Sequence, residues 1–189
     1  MRVLVVDGYD PSDSDAHISK AAARLLEQKG NTVEVLHLHK LGFAEPMSAA
    51  ERQAYPSGSP LITDVTRSSA AAVRQADALV FCYPTVMFGV PPVLKSWLER
   101  VLVEGVSFQF DAKNRLRPAM THVRRLVAIT TSPHSGAATR SARDLGRRTI
   151  MWTVRLNCHR LCRRTFLRLP RQGDEHQALA KIESALSRW

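Results

Sequence analysis

Between Arg140 and Arg171 the chain has one acidic residue, Asp144, against ten arginines. That stretch carries +9 of a formal net charge of +10, leaving the rest of the chain almost neutral. A basic face of this kind suits an anionic cofactor, an acidic partner or nucleic acid. Nucleic acid calls for aromatic platforms between the charges, and here only Trp152 and Phe166 qualify, so it is not an expected partner. Cysteine is also scarce. Three residues exclude a disulfide scaffold, and Cys82 reads as a small buried hydrophobe within an apolar strand. Cys158, His159 and Cys162 lie close together but lack the second pair of ligands that a structural zinc site needs, so no metal is expected. No apolar run approaches the roughly 20 residues of a membrane span. After a single Arg the N-terminus enters Val3–Val6, too short for a signal peptide, and a cytoplasmic location is expected.

What the chain does have is alternation. At 189 residues it suits one domain over 1–189. Apolar runs of strand length alternate with segments of helical period, the pattern of βαβ units. Strands are expected at Val3–Val6, Thr32–Leu38, Ala78–Cys82, Leu126–Thr131 and within Leu156–Leu161. Helices are expected near Ala16–Lys29, Leu61–Gln75, Pro92–Val103, Ala137–Thr153 and Asp174–Arg188. Pro91 and Pro92 suit a helix start, where N–H groups are unpaired anyway. The irregular stretch His39–Pro60 is long for a compact domain and is expected to be functional or to cover a neighbouring surface. The fold expected is α/β: a doubly wound five-stranded parallel sheet in the flavodoxin-like order 2-1-3-4-5, with helices on both faces. Its ligand crevice then lies between the carboxyl ends of the first and third strands.

Two loops reach that crevice. The first, Asp7-Gly-Tyr-Asp-Pro-Ser-Asp-Ser-Asp15, has no G-x-G-x-x-G and so is not a dinucleotide turn. It offers the hydroxyls of Ser12 and Ser14 and the N–H groups that open the next helix, a setting that accepts phosphate. Its three further carboxylates, Asp10, Asp13 and Asp15, oppose an anion, and Ser14 or Asp15 serves equally as a plain helix cap. The second, Tyr83-Pro-Thr-Val-Met-Phe-Gly89, is apolar and suits a flat ring better than a phosphate. Beside them comes Thr130-Thr-Ser-Pro-His-Ser-Gly136, where His134 is the candidate for proton transfer.

The run Tyr83-Pro-Thr-x-x-Phe-Gly-x-Pro-x-x-Leu-Lys-x-Trp-x-x-Arg100 resembles the signature loop and helix of the NAD(P)H:quinone oxidoreductases, DT-diaphorase-like and modulator-of-drug-activity-like flavoproteins. Gly30-Asn-x-Val-x-Val35, Gly42-Phe-x-x-Pro-Met-Ser48, Ala76–Phe81, Gly105-Val-x-Phe108 and Thr130-Thr131 extend the resemblance over Val3 to Gly136. It implies a bound flavin, FMN rather than FAD, with the phosphate near Ser12, Ser14 and Ala16. The ring would lie along Pro84, Thr85, Val86, Met87, Phe88 and Gly89 and against Thr130, Thr131 and Ser132. It implies hydride transfer from NADPH or NADH to a quinone or related aromatic acceptor, in a homodimer; separately, the charge density of Arg140–Arg171 and its position after the fourth-strand loop suit attraction of the nucleotide's phosphates. Some relatives resembling this family are ancillary subunits of potassium-efflux systems, which leaves a regulatory flavin- or nucleotide-binding role as the alternative. Ser132-Pro133 stands where the family has a glycine pair, and the family's following Tyr and His are missing from Arg140–Arg148.

Overall fold

The computed structural model describes residues 1–55, 60 and 62–187. Five strands form one all-parallel sheet: β1 (Arg2–Asp7), β2 (Thr32–His37), β3 (Ala78–Pro84), β6 (Arg125–Ser132) and β7 (Arg163–Pro170). Their order is β2-β1-β3-β6-β7, the expected flavodoxin-like order once the sheet strands alone are counted. The helices are α1 (His17–Gln28), α2 (Ala49–Ala54), α3 (Asp64–Gln75), α4 (Pro92–Val101), α5 (Gly136–Ser141), α6 (Leu145–Arg148) and α7 (Glu175–Ala185). A small antiparallel hairpin, β4 (Phe108–Phe110) and β5 (Leu116–Pro118), stands apart from the sheet.

Every residue of β3 is buried, as a central parallel strand covered on both faces requires. Its side chains alternate between two cores because a strand has period two. Leu79, Phe81 and Tyr83 join Val73 of α3 and Val93, Leu94 and Trp97 of α4. Ala78, Val80 and Cys82 join Ile18, Ala22 and Leu26 of α1 and Ile182 of α7. Trp97 is completely buried and meets Phe81 edge-on, ring centres 5.9 Å apart, a contact worth about 1 kcal/mol beyond its area. Among the described residues no helix is long and apolar enough to cross a membrane.

Two expectations are corrected. The fifth strand is Arg163–Pro170, not within Leu156–Leu161. Leu156 and Leu161 are 72% and 70% exposed, so their apolarity marks surface and not a strand core. The true strand lies at the sheet edge, mostly half-exposed, and therefore tolerates the arginines that hid it. The single helix expected over Ala137–Thr153 is broken at Arg143 and Asp144, both left-handed, with Asp144 capping the new start through Arg147 N–H at 3.1 Å. A π-helical turn (Thr149–Thr153) and a 3-10 turn (Val154–Asn157) follow. The β4–β5 hairpin went unforeseen, since its strands are three residues each.

The stretch after β2 is more ordered than its composition suggests. Phe43 is fully buried, and α2 is docked on α4 by the buried Arg100–Glu51 pair at 2.8 Å. Through these described residues the segment covers the surface of α4, one of the two expected alternatives. Pro56, Ser57, Gly58, Leu61 and Arg188, which figured in the expected turns and helix ends, lie outside the described residues.

Candidate cofactor site

The carboxyl ends of β1, β3 and β6 converge, and each hands over to one of the loops singled out above. The pairing of β3 with β6 extends one residue past the end of β3, since Thr85 N–H donates to Thr131 C=O at 2.7 Å. The hydroxyls of Thr85 and Thr130 share a hydrogen bond at 2.7 Å, and Tyr9 O–H donates to Thr131 Oγ1 at 3.2 Å. All four side chains are buried, so they brace the site and leave the loops to meet a ligand. Burial pushes the Tyr9 phenol far above its ordinary value, against its hydrogen bond with Thr131, so it stays a neutral donor. Tyr9 N–H also donates to Asp7, whose other oxygen pairs with His37 Nδ1 at 2.8 Å.

The third-strand loop makes a tight turn. Val86 and Gly89 exchange backbone hydrogen bonds of 3.1 and 2.7 Å, with Met87 at φ 47° and Phe88 at φ 60° between them. Two consecutive non-glycine residues in the left-handed region cost roughly 1–2 kcal/mol each. The strain is held from outside by Gly146 of α6, whose N–H donates to Phe88 C=O at 3.0 Å. A Cβ at Gly146 would lie 3.2 Å from the Gly89 carbonyl carbon, so any larger residue presses on the turn and requires it to give by a fraction of an ångström. Phe88 then stacks on His134, centroids 4.2 Å apart and planes 25° apart, while Met87 remains 84% exposed. Strained backbone that surroundings over-determine is a mark of functional sites.

The first loop is a self-capped turn. Ser12 donates to Asp10 Oδ1 through both its N–H, at 2.9 Å, and its hydroxyl, at 2.5 Å. These two bonds hold the Asp10 carboxyl below its usual value, the hydroxyl contributing most. Asp13 caps the 3-10 turn Ser14–Ala16 by accepting from Asp15 N–H at 3.0 Å, and Ala16 N–H returns to Asp13 C=O. The far end of β7 clasps the loop: Arg171 pairs with Asp13 at 3.2 Å, and Gln172 N–H donates to the buried Asp15 carboxylate at 3.1 Å. Beside the loop a cleft of about 90 Å³ is lined by Asp7, Tyr9, Lys20, His37, His39 and Lys40.

This sheet order and loop placement agree with a family description. The flavodoxin-like fold model matches residues 1–169. The chain belongs to the flavodoxin-like fold family. It is 30% identical over 146 residues to NAD(P)H dehydrogenase (quinone) 1 of Cavia porcellus, covering 69% of this chain but 53% of that relative. The chain thus spans about half the length of that curated protein. It is 29% identical, over 146 residues and 72% of its length, to FMN-dependent NADH:quinone oxidoreductase 2 of Bradyrhizobium diazoefficiens, covering 71% of that protein. Among solved structures, the NAD(P)H:quinone oxidoreductase from Methanothermobacter marburgensis superposes with a TM-score of 0.78 at 20% identity, over 98% of this chain and 95% of that one.

In this flavodoxin-like domain Pro84–Gly89, Thr130–Ser132 and His134 do come together around the β3 and β6 ends, and Ser12, Ser14 and Ala16 follow β1. The first loop's donor set suits a phosphate: Ser12 N–H and Oγ–H already converge on an anion, with the Asp10 carboxylate standing in for it. Lys20 and Lys40 line the adjoining cleft, and Arg171 pairs with Asp13 of the loop. Tyr9, Asp7, His37 and Gly146 were not foreseen as site residues. A glycine inside an arginine-rich helical stretch was the one local signal for Gly146.

Proposed function

We propose that this chain is an FMN-dependent NAD(P)H oxidoreductase acting on a quinone or related aromatic acceptor, as a cytoplasmic homodimer built from one domain. The observation that carries the reading is the strained Val86–Gly89 turn, locked by Gly146 at the converged ends of β3 and β6. The exposed Val86 and Met87 of this turn support a ring lying against it with one face open. FMN, when bound, supplies the two-electron chemistry that connects a nicotinamide hydride to the acceptor.

The chain's own part is binding, orientation and proton handling. Ser12 and Ser14 would hold the phosphate, Ser12 in exchange for the Asp10 carboxylate, and Ala16 would join them once its N–H leaves Asp13 C=O. Pro84–Gly89 and Thr130–Ser132 flank the ring, and the buried Tyr9–Thr131 bond keeps the β6 end in register with the first loop. His134, carried against Phe88, stands ready to hold or pass a proton at its imidazole. Exposed Phe110, Leu116 and Leu156, where the β4–β5 hairpin packs on the 3-10 turn, support a subunit contact. The named relatives being dehydrogenases and oxidoreductases, an ancillary regulatory role is not favoured. The test is reconstitution with FMN, followed by NADPH and NADH oxidation with a quinone. Flavin bands near about 370 and 450 nm that travel with the protein, and acceptor-dependent turnover, are expected. A protein that takes up no FMN overturns the reading.

A further inference from the structure

α5 and α6 are separated by Arg143 and Asp144, consecutive residues in the left-handed region at φ 58° and 42°. Asp visits this region more readily than Arg, and neither stays there without a hold from its surroundings. That hold converges on Asp144. Its N–H donates to Thr139 C=O of α5 at 3.1 Å, its Oδ1 accepts from Arg147 N–H of α6 at 3.1 Å, and its Oδ2 pairs with Arg168 of β7, 24 positions on. The Asp144 and Arg168 side chains are 16% and 23% exposed, so water and salt screen the pair less than one at the surface. Arg168 also lies 5.4 Å over the Phe166 ring of β7, and Arg147 of α6 lies 5.3 Å over the same ring, a second tie between helix and strand.

α6 is a single turn of four residues, too short to hold a shape of its own, so its place is set by what its ends touch. Gly146 stands two residues beyond Asp144, and its N–H donates to Phe88 C=O at 3.0 Å. A continuous line of contacts therefore runs from β7 through Arg168 and Asp144 to Gly146, then to Phe88 and the His134 ring stacked on it. The chain just after β7 reaches the first loop separately, through Arg171 with Asp13 and Gln172 N–H with Asp15.

We propose that Asp144 and Arg168 are positioning residues for the ring side of the cofactor site: their ion pair sets the start of α6 and, through Gly146, fixes the Val86–Gly89 turn. The inference rests on the flavin reading above and extends it by dividing control of the site. The Asp144–Arg168 pair governs the ring wall, while the Arg171–Asp13 pair governs the first loop, where phosphate is held. Without the first pair α6 is free to shift, the Gly146 hydrogen bond to Phe88 weakens, and Met87 and Phe88 relax out of the left-handed region. A flavin then has to order the turn as it binds, and that cost is the same whether or not the flavin carries a phosphate.

Asp144→Asn keeps a side-chain acceptor at the helix start and a residue at home in the left-handed region, so it removes the ion pair and little else. FMN and riboflavin are the probes, titrated well below the melting temperature, with amide hydrogen exchange on the flavin-free protein. Exchange at Gly146 should quicken roughly tenfold, and the Kd values for FMN and riboflavin should rise together by roughly three- to thirtyfold. Arg168→Met should reproduce both effects, and the double variant should be no worse than the stronger single one, since each removes the same interaction. Where these variants fail to fold, Arg168→Lys, which keeps a charge in place, should show a smaller change in the same direction. A lowered Tm with both flavin Kd values unchanged would mark a merely structural pair and overturns the proposal. So does a loss of FMN affinity with riboflavin unaffected, or wild-type exchange at Gly146. A wild type that takes up neither flavin overturns the functional reading instead, and exchange at Gly146 then still decides whether the pair holds the turn.

Discussion

Replacing Glu51 with Gln removes one charge from an ion pair that tertiary packing has buried. Arg100 Nε meets Glu51 Oε1 at 2.8 Å, with the two side chains 8% and 4% exposed. The second carboxylate oxygen accepts from Ser48 N–H at 2.8 Å, closing a capping box at the start of α2, while Arg100 lies 5.4 Å over the Phe43 ring. Breaking a buried pair by neutralising one partner costs about 3–5 kcal/mol. Gln keeps an acceptor for Ser48, so the lower end, about 3 kcal/mol, applies. For a chain of this size that lowers Tm by roughly 6–12 °C in a thermal melt near neutral pH. Glu99→Gln is the control: its pair with Lys95 is half exposed, and the expected loss is about 0.5 kcal/mol or less. Arg100→Met added to Glu51→Gln should restore much of the loss, since no uncompensated charge then stays buried. The pH dependence has a definite sign. Burial pushes the Glu51 carboxyl up, but hydrogen bonds from Ser48 N–H and Arg100 outweigh it and hold it below its usual value. A depressed carboxyl stabilises the fold above its unfolded pKa of about 4.3 and loses that contribution as pH falls through the lower folded value. The gap between wild type and Glu51→Gln should therefore be constant from neutral pH down to about 5 and close in more acid solution. A Tm within about 2 °C of wild type near neutral pH refutes the reasoning.

Gly146→Ala sets a Cβ 3.2 Å from the Gly89 carbonyl carbon and 3.4 Å from Tyr83 Oη, so the Val86–Gly89 turn must move. We expect a loss of about 1–3 kcal/mol in thermal melts and weaker FMN binding by fluorescence titration; wild-type values in both refute the contact. Asp10→Asn removes the carboxylate that occupies the Ser12 donors and repels a phosphate. FMN affinity should rise by roughly two- to fivefold, and an unchanged Kd would show that the phosphate does not use this loop.

The sequence by itself determined four of the five sheet strands and their loop ends. Val3–Val6, Ala78–Cys82 and Leu126–Thr131 are apolar because strands covered on both faces leave no solvent side, and Gly30 and Pro92 punctuate α1 and α4 through backbone conformations that are local properties. Hence the Tyr83–Gly89 loop was legible as the segment that leaves the carboxyl end of a central strand. The edge strand β7 was not, because half-exposed positions accept arginine and the apolar criterion fails there. Only the tertiary structure decided the partners: Tyr9 with Thr131, Gly146 with Phe88, Arg171 and Gln172 with Asp13 and Asp15, Glu51 with Arg100. Each pair joins residues at least 49 positions apart, where no local pattern encodes the distance. Propensity and burial period are written residue by residue, whereas the strained Val86–Gly89 turn is held by a backbone N–H from a remote helix.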